Sequence, residues 1–561
     1  MSDGVSHFMR LGRRAWVAGL LAVLASAALL AGLALPGAAS VSDPGSRLFH
    51  RYLTPARVRE RFGPAGRQVA AIRSWLTATG LRIKAVTGHY VAVSGTAAAA
   101  RRAFGVRWHS YQVDGTTQQA PPPPARLSAP ARVAPAVLTV APVETGLPGY
   151  PQAAGAAGAA PAAVARPGLP ASRAAADAPC SHYFGQKLAA GLPPAYGRTA
   201  PYLGCGYTPA QLRSAYGVPR SLTGQGVTVA VVHPWRQQTA ASDLATFGRR
   251  HGQPLRPGQF TQILPPELDA SCQGTTRGPF LLSNEETGDV ELVHAMAPAA
   301  KIVYVGAKWD DGEGTTADLD ALTTIVDRRL ATIVSDSWAT TSSDATTSPG
   351  LVRAYEQVFE QGAAEGIGFY FAAGDGGEFS GGSAGGRATL IYPQSDPWVT
   401  SIGGTALAVG RAGNYEWQAA WGDRVARLPA DGTSWAGLPG TFAAGSGGGT
   451  STLFGQPAYQ RGVVPAALSH AGGSVPAMRV VPDIAADADL ATGVLNGETL
   501  SQGPGQPPAY QEASGSGTSA ACPVGGADRD PLPAPAGRGR RRAGRAAGVL
   551  SVAADRPRDL A

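Results

Sequence analysis

The chain has 561 residues and a formal net charge of +8, and only 15% of its residues are charged. Its arginines gather near the two ends, and no basic stripe is interleaved with aromatic residues, which argues against a nucleic-acid-binding protein. Four cysteines are too few for a disulfide scaffold, although Cys180 and Cys205 could close one loop in an oxidising compartment.

Residues 1–40 are predicted to form a signal peptide of a secreted protein. Arginines within the first fourteen residues precede an apolar run from Ala15 to Leu35, and small residues follow as at a signal-peptidase site. The run is long enough to span a bilayer, so an uncleaved membrane anchor is the alternative. No other stretch predicts a stable membrane partner.

Residues 46–145 predict a small domain that mixes helices and strands. Thr54-Pro55-Ala56 is typical of a helix N-cap followed by proline in the first turn. A second helix is expected over 69–79, short strands over 91–93 and 106–108, and a helix-compatible stretch over 96–104. A free-standing binding module is the alternative to a propeptide. Residues 146–179 lack core-forming side chains and predict a flexible linker open to proteolysis.

From Gly226 onward, apolar strands alternate with helical stretches. Strands are expected over 227–232, 301–305, 331–335 and 368–373, and helices over 241–252, 286–297, 316–329 and 352–365. This alternation predicts an α/β fold in which a parallel sheet carries helices on both faces. Ligand sites in such sheets lie at the carboxyl ends of the strands.

Two acidic features stand out in this region. Glu285 and Asp289 are four residues apart, so on a shared helix their carboxyl groups lie on one face, where like charges raise one pKa. A solvated acidic first turn is the alternative. Asp375 directly follows an apolar strand and is predicted to be either a loop N-cap or a site residue.

A run of small residues leads into Ser516-Gly517-Thr518-Ser519-Ala520-Ala521-Cys522-Pro523. Small residues allow close backbone approach, and a serine that opens a helix lies near backbone N–H groups. The string resembles the nucleophile motif of subtilisin-like peptidases, which implies that Ser519 is the nucleophile. None of the nine histidines stands in a His-Gly-Thr-His context, so a carboxylate base is favoured over a Ser-His-Asp arrangement.

The order of the motifs over residues 46–526 resembles that of the sedolisin, or serine-carboxyl, peptidases. The N-terminal segment also resembles the pro-kumamolisin activation domain, which implies a small ferredoxin-like α+β propeptide before a subtilisin-like peptidase domain at 180–526. The matching strings are Arg51-Tyr52-Leu53-Thr54-Pro55, Glu285 with Asp289, Ser335-Asp336-Ser337-Trp338, Gly374-Asp375, Gly447-Gly448-Gly449, Arg479-Val480-Val481-Pro482-Asp483 and Ser516 to Pro523.

This resemblance implies a role for each site residue. Glu285 would be the general base for Ser519, Asp289 would hold Glu285 and tune its pKa, and Asp375 would be protonated in the oxyanion hole. A peptide cleft would be lined by Trp338, Gly447, Gly448 and Gly449. The implied partners are a protein or peptide substrate and the chain's own propeptide, and the implied optimum is acidic.

Two departures from the family pattern affect these expectations. His233 stands where the first strand of the peptidase domain often ends in an acidic residue, so an outer carboxylate is expected to be missing. Residues 527–561 are rich in Arg, Pro and Ala where the family continues with a long apolar helix and a calcium site. Calcium is expected from the family, but its ligands are not identifiable here.

The tail leaves two alternatives open for the gene and its product. A frameshift or truncation after the nucleophile motif would make the chain an inactive or peptide-binding product with a disordered end, whereas a natural basic tail would leave the peptidase intact.

Overall fold

The computed structural model describes most of the chain between residues 38 and 527, together with one N-terminal segment. The described residues are 16–24, 38–106, 109–113, 116–120, 129–142, 180–234, 236–265, 279–307, 314–338, 344, 347, 349–378, 390–429, 431–500, 502 and 506–527. The predicted linker and all of the predicted tail except its first residue lie outside them.

The N-terminal unit is built on a small antiparallel sheet flanked by helices. Its strands are β1 (Trp16–Leu24), β2 (Arg82–Val86), β3 (Tyr90–Thr96), the hairpin of β4 (His109–Val113) and β5 (Thr116–Ala120), and β6 (Val137–Pro142). Its helices are α1 (Ala38–Ser42), α2 (Pro55–Phe62), α3 (Gly66–Ala78) and α4 (Ala97–Phe104), and a 3-10 turn covers Ala134–Ala136. The four-stranded sheet has the order β2-β3-β1-β6, in agreement with the predicted α+β propeptide.

Local sequence explains where these helices begin and how they pack. The hydroxyl groups of Thr54 and Thr96 each accept a hydrogen bond from the backbone N–H three residues later, which caps α2 and α4. Trp75 of α3 packs edge-on against Phe104 of α4, with ring centroids 5.5 Å apart. The helices therefore share one apolar core with β3.

Two strands of this unit bear on the sequence predictions. Of the strand predicted at 106–108, residues 107–108 lie outside the described part, and the next observed strand begins at His109. The first strand, β1, comes from the predicted signal peptide and pairs antiparallel with both β3 and β6. Its removal would divide the sheet between those strands. The signal peptide stays a prediction, and no helix among the described residues is long and apolar enough to cross a membrane.

The second unit is organised around an eight-stranded, mainly parallel sheet. Its strands are β7 (Thr228–Pro234), β8 (Phe260–Ile263), β9 (Lys301–Ala307), β10 (Ile333–Asp336), β11 (Gly368–Ala372), β12 (Val399–Val409), β13 (Tyr415–Ala420) and β18 (Ile484–Asp487). The order is β13-β12-β11-β10-β7-β9-β8, and β18 also pairs with β12. Only the β12–β13 pairing in this sheet is antiparallel, so the predicted subtilisin-like parallel sheet is confirmed.

Helices cover both faces of this sheet. The helices of the second unit are α5 (Pro209–Ala215), α6 (Ala240–Arg250), α7 (Pro279–Met296), α8 (Gly314–Arg328), α9 (Pro349–Glu365), α10 (Ala466–Ser469) and α11 (Thr518–Ala527), of which α10 lies beside the smaller sheets and not on this one. Along β7, Val229 and Val231 pack into the core with α6, α7 and α11, whereas Ala230 and Val232 pack with α8 and α9. Alternate side chains of a strand point to opposite faces, so an entirely apolar strand serves two cores.

Three antiparallel pairs and two 3-10 turns complete the second unit. The pairs are β14 (Gly422–Arg427) with β15 (Ala436–Gly445), β16 (Gly449–Gly455) with β17 (Met478–Val481), and β19 (Val494–Leu500) with β20 (Ala509–Gly515). The 3-10 turns cover Ala458–Gln460 and Ala471–Gly473. The last strand, β20, leads directly into α11.

A disulfide between Cys180 and Cys205 lies at the start of the second unit, with the two Cα atoms 5.0 Å apart. The segment beside it is held by backbone hydrogen bonds, because the N–H of Gly204 donates to the carbonyl of Ala491 over 2.8 Å. The beginning of the predicted peptidase domain is thereby fastened to a loop that precedes β19.

The N-terminal unit contacts the second unit at α8 and α9. The backbone N–H of Leu53 donates to the carbonyl of Ala364 over 2.8 Å. The side chain of Tyr90 is completely buried and its hydroxyl hydrogen-bonds to Asp320. This interface lies on the α8–α9 face of the sheet, opposite the helices α7 and α11.

Candidate active site

The predicted nucleophile, Ser519, lies in the first turn of α11 and is half-buried. The chain turns into this helix at Gly517, whose φ of +105° favours glycine. A Cβ at Gly517 would also lie 2.8 Å from Oδ2 of Asp375. The glycine of the motif is therefore required both by the backbone conformation and by the approach of Asp375.

Asp375, three residues past the end of β11, is fastened to the residue before Ser519. Its Oδ1 accepts hydrogen bonds from the backbone N–H of Thr518 at 2.7 Å and from the hydroxyl of Thr518 at 2.8 Å. The same hydroxyl accepts the backbone N–H of Gly374 at 2.9 Å. Two loops that are distant in sequence, at the ends of β11 and β20, thus place Asp375 beside the predicted nucleophile.

Glu285 and Asp289 share one helix, as the sequence predicted, but not in its first turn. Helix α7 begins at Pro279, so the expectation that the acidic pair opens a helix is wrong. Proline is favoured at the first helical position because its missing N–H has no helical partner there. Asp289 is 2% exposed, which also contradicts the alternative of a solvated acidic turn.

The acidic pair is electrostatically coupled and reaches the nucleophile's helix through Ser337. Burial, followed by the charge of Glu285, raises the pKa of Asp289 well above its ordinary value, and a hydrogen bond with Ser337 opposes this shift. The hydroxyl of Ser337 also donates to the backbone carbonyl of Ser519 at 3.3 Å. The pair, Ser337 and Ser519 therefore form one contiguous group between α7, β10 and α11.

The adjacent carboxylate, Glu286, has a different environment from Glu285. It accepts the backbone N–H of Gln237 at 2.5 Å and the side-chain amide of Gln262 at 2.6 Å. Burial raises the pKa of Glu286 to about 7, and these hydrogen bonds oppose the shift. Because both oxygens of Glu286 hold neighbouring segments, its role is structural, and Glu285 remains the candidate base.

A second buried acid pair lies behind the first, and the sequence analysis missed it. Asp318 of α8 and Asp336 of β10 are hydrogen-bonded to each other and buried. Burial raises the pKa of Asp318 to about 6, and burial together with Asp318 raises that of Asp336 well above its ordinary value. The hydroxyl of Tyr355 donates to Asp318 at 3.0 Å. The two residues belong to different elements, so no sequence spacing signals such a pair.

His233 occupies the place where the sequence analysis expected a missing outer carboxylate. It lies in β7, is fully buried, and its Nε2 is 3.5 Å from Oε2 of Glu285. Its ring meets the ring of Trp338 edge-on, with centroids 5.6 Å apart. The residue beside the candidate base is therefore a histidine, which is positively charged when protonated, and not the negatively charged carboxylate of the family pattern.

The predicted cleft residues have unequal exposures. Trp338 is 3% exposed and packs beneath the site, so its contact with substrate stays a prediction. A Cβ at Gly447 would lie 1.9 Å from the carbonyl oxygen of Ala373, and a Cβ at Gly448 would lie 3.1 Å from that of Val481. Gly449 has a φ of +142°. Gly447 therefore allows its segment to pass directly against the loop that carries Asp375, whereas Gly448 lies against Val481.

Within the residues that the structure describes, no group of three or more His, Cys, Asp or Glu side chains could hold a metal ion. The described part therefore offers no fit for the calcium that the family resemblance implies. The cysteine of the nucleophile motif, Cys522, lies on the buried face of α11, and burial raises the pKa of its thiol. Such a thiol stays protonated and unreactive.

Comparisons with known proteins recover both units of the chain. The family described as the pro-kumamolisin activation domain matches residues 37–145, and the subtilase family matches residues 278–526. Kumamolisin from Bacillus sp. (strain MN-32) is 31% identical over 303 residues, which are 52% of this chain and 48% of that protein. Sedolisin from Pseudomonas sp. (strain 101) is 24% identical over 464 residues, which are 82% of this chain and 68% of that protein.

A solved structure of Pseudomonas sedolisin, a serine-carboxyl proteinase complexed with two molecules of pseudo-iodotyrostatin, is 23% identical to the chain with a TM-score of 0.43. The alignment covers 57% of this chain and 78% of that one. The chain spans about half the length of the curated kumamolisin.

Proposed function

The chain belongs to the sedolisin family and carries a pro-kumamolisin-type activation domain, and from this premise we propose that it is a secreted, acid-active serine-type endopeptidase made as a zymogen. Its substrate would be a protein or peptide, and its propeptide would be the N-terminal unit. The observation that carries the proposal is that Asp375 accepts a hydrogen bond from Thr518, the residue before Ser519, while Ser337 links the backbone of Ser519 to the acidic pair of Asp289 and Glu285.

The proposed reaction proceeds through an acyl-enzyme on Ser519. Glu285 takes the proton of the Ser519 hydroxyl as its oxygen attacks the peptide carbonyl, and then returns this proton to the leaving amine. Asp289 fixes Glu285 through their shared helix face. Water repeats the sequence to release the acyl group, with Glu285 again as the base.

Asp375 would stabilise the oxyanion that forms in each step. Its Oδ1 already accepts two hydrogen bonds from Thr518, so Oδ2 is the atom proposed to carry the proton. A carboxyl group donates to an oxyanion only when it is protonated. The reaction therefore requires Asp375 to be neutral while Glu285 is ionised, a combination that exists only where the pKa of Asp375 lies above that of Glu285.

Acid activity is further supported by the environment of Asp289. Because burial and Glu285 raise its pKa, Asp289 holds its proton at a pH where an exposed carboxyl group has lost it. The protonated Asp289 has one O–H to donate and does not repel an ionised Glu285. The pair then carries one proton and one negative charge, which is the state that a general base needs.

Substitution of the acidic pair tests the proposal. Glu285→Gln removes the base and Asp289→Asn removes its partner, and each is expected to lower the hydrolysis of a denatured protein at acid pH by at least about 100-fold. His294→Ala is the control, because that buried histidine faces Gln253 on the far side of α7. Loss of activity in the histidine variant together with full activity of Glu285→Gln would exclude a carboxylate base.

An inactive or peptide-binding product is the second candidate, and it is favoured by the sequence after Pro523. The described part of α11 ends at Ala527, and the tail that follows lacks the apolar periodicity of a packed helix. Hydrolysis that Ser519→Ala abolishes would exclude this candidate. Peptide binding without turnover by the unmodified chain would support it.

A further inference from the structure

His233 is held in a single orientation at the end of β7. Its Nδ1 lies 2.8 Å from the carbonyl oxygen of Pro234, and its own backbone carbonyl accepts the hydroxyl of Tyr304 at 2.9 Å. The ring is fully buried and lies edge-on to Trp338. Because a carbonyl oxygen only accepts, Nδ1 carries a hydrogen in both protonation states of the ring.

The other ring nitrogen faces the candidate base. Nε2 of His233 lies 3.5 Å from Oε2 of Glu285. In the neutral ring Nε2 is an acceptor, and in the charged ring it is a donor. A charged ring therefore donates to an ionised Glu285, and this pair holds one positive and one negative charge side by side.

Among the described residues, most of the titratable groups near His233 and Glu285 are acidic. Helix α7 contributes Asp289, α8 contributes Asp318, and the end of β10 contributes Asp336, while the phenol of Tyr304 on β9 donates to the backbone carbonyl of His233. The basic group nearby is Arg236, whose charge acts on Glu286. The charge of His233 acts on Asp318 as well as on Glu285. A positive charge on His233 favours the ionised form of Glu285, whereas the negative charge of any neighbouring carboxylate disfavours that form.

We propose that His233 is a positioning residue for the base: as an imidazolium it donates from Nε2 to Oε2 of Glu285, orients that carboxylate toward Ser519 and keeps it ionised in acid. This inference rests on the proposed function. His233 keeps its own proton throughout, while the proton that moves passes from Ser519 to Glu285 and then to the leaving amine. A carboxylic acid in the place of His233 could not supply this positive charge.

The pH dependence of kcat/KM separates a positioning role from a merely structural one. Activity requires an ionised Glu285, so kcat/KM falls tenfold for each pH unit below the pKa of Glu285. His233→Gln keeps an amide donor but removes the charge. We expect the acid limb of its kcat/KM profile to lie about one pH unit higher than in the unmodified enzyme. The maximum kcat/KM should stay within a few-fold, and kcat/KM at pH values below the limb should be about tenfold lower than in the unmodified enzyme.

The matched control is His294→Gln, which alters a buried histidine that does not contact the acidic pair. Its acid limb is expected to coincide with that of the unmodified enzyme. An unshifted limb in His233→Gln, measured on a fluorogenic peptide from pH 2 to 6, would overturn the inference while leaving the proposed peptidase function intact.

A second measurement does not depend on activity. In the full chain carrying Ser519→Ala, NMR with 15N-labelled histidine at pH 4 reports whether Nε2 of His233 carries a hydrogen, and the signal is assigned by its loss in His233→Gln. We expect Nε2 to carry a hydrogen and its signal to move when Glu285→Gln removes the carboxylate partner. A bare Nε2, or a signal that Glu285→Gln leaves in place, would overturn the inference even if the unmodified chain proved inactive.

Discussion

Asp396→Asn is expected to change how the stability of the chain depends on pH. Asp396 is fully buried, its Oδ1 accepts the backbone N–H of Trp398 at 2.9 Å, and its Oδ2 accepts the hydroxyl of Tyr392 at 3.4 Å. Burial, with a further contribution from Glu356, raises the pKa of Asp396 from 3.8 to about 8, while Arg479 opposes the shift. The folded chain therefore holds a proton that the unfolded chain has released.

The sign and size of the effect follow from this proton. Between pH 3.8 and about 8, the unfolded chain is ionised at this residue and the folded chain is not, so each pH unit lowers the free energy of unfolding by about 1.4 kcal/mol. At pH 7 the loss from this one group reaches about 4 kcal/mol, a large part of the roughly 5–15 kcal/mol of a typical domain. Asparagine keeps an acceptor for Trp398 but has no proton to lose.

We therefore expect Asp396→Asn to be more stable than its parent by about 3 kcal/mol at pH 7, and less stable by about 1 kcal/mol at pH 4, where the lost hydrogen bond of Tyr392 dominates. The assay is urea unfolding from pH 4 to 7 at constant ionic strength, with Ser519→Ala in both chains to prevent self-cleavage. Asp431→Asn, at an exposed carboxylate, is the control. Parallel pH profiles for Asp396→Asn and its parent would refute the reasoning.

Other buried carboxyl groups act in the same direction, so the parent chain should lose stability from pH 4 to 7. Burial is the largest cause of the raised pKa in each of them: Glu286, Asp289, Glu291, Asp318, Asp336, Glu365, Asp487 and Asp489. Burial lowers the pKa of His89 and His294, so these two histidines oppose the trend below their ordinary pKa. The carboxyl groups outnumber them, so we expect the free energy of unfolding to be higher at pH 4 than at pH 7.

Three further predictions concern maturation, metal and packing. Acidification is expected to cleave the precursor within 146–179 and to leave Ser519→Ala intact, and identical fragments by mass spectrometry would contradict self-processing. Thermal melts with calcium and with a chelator are expected to coincide, and a rise of many degrees with calcium would reveal a metal site outside the described residues. Asp483→Asn should lower the free energy of unfolding, measured in urea, by about 3–5 kcal/mol, because it breaks the ion pair of the buried Arg479. The Nη2 atom of Arg479, which is fully buried, lies 2.8 Å from Asp483. An unchanged urea midpoint would contradict this prediction.

The strands of the large sheet could be predicted because strands buried on both faces read as continuous apolar runs. The stretches expected at 227–232, 301–305 and 368–373 each coincide with an observed strand within two residues. The placement of Glu285 and Asp289 on one helix face could also be predicted, because residues four apart in a helix lie on the same face. Local periodicity was sufficient in these cases.

What the sequence analysis missed depends on contacts between distant segments. The pairing of Asp318 with Asp336 joins α8 to β10, and no spacing rule connects two such residues. The place of His233 could be predicted, but its contact with Glu285 depends on how α7 crosses the end of β7. Strand β1 lies between β3 and β6 in the small sheet. Its apolar sequence is compatible with a strand but does not say which strands it pairs with.

The bond between Cys180 and Cys205 matters most after a cut has been made. While the chain is continuous, it extends on both sides of Cys180. Once the linker is severed, Cys180 lies close to a new chain end, and a free end is where a protein begins to fray. A crosslink spanning 25 residues limits that fraying and is worth about 2–4 kcal/mol. A reducing agent should therefore shorten the lifetime of the cleaved form more than that of the precursor.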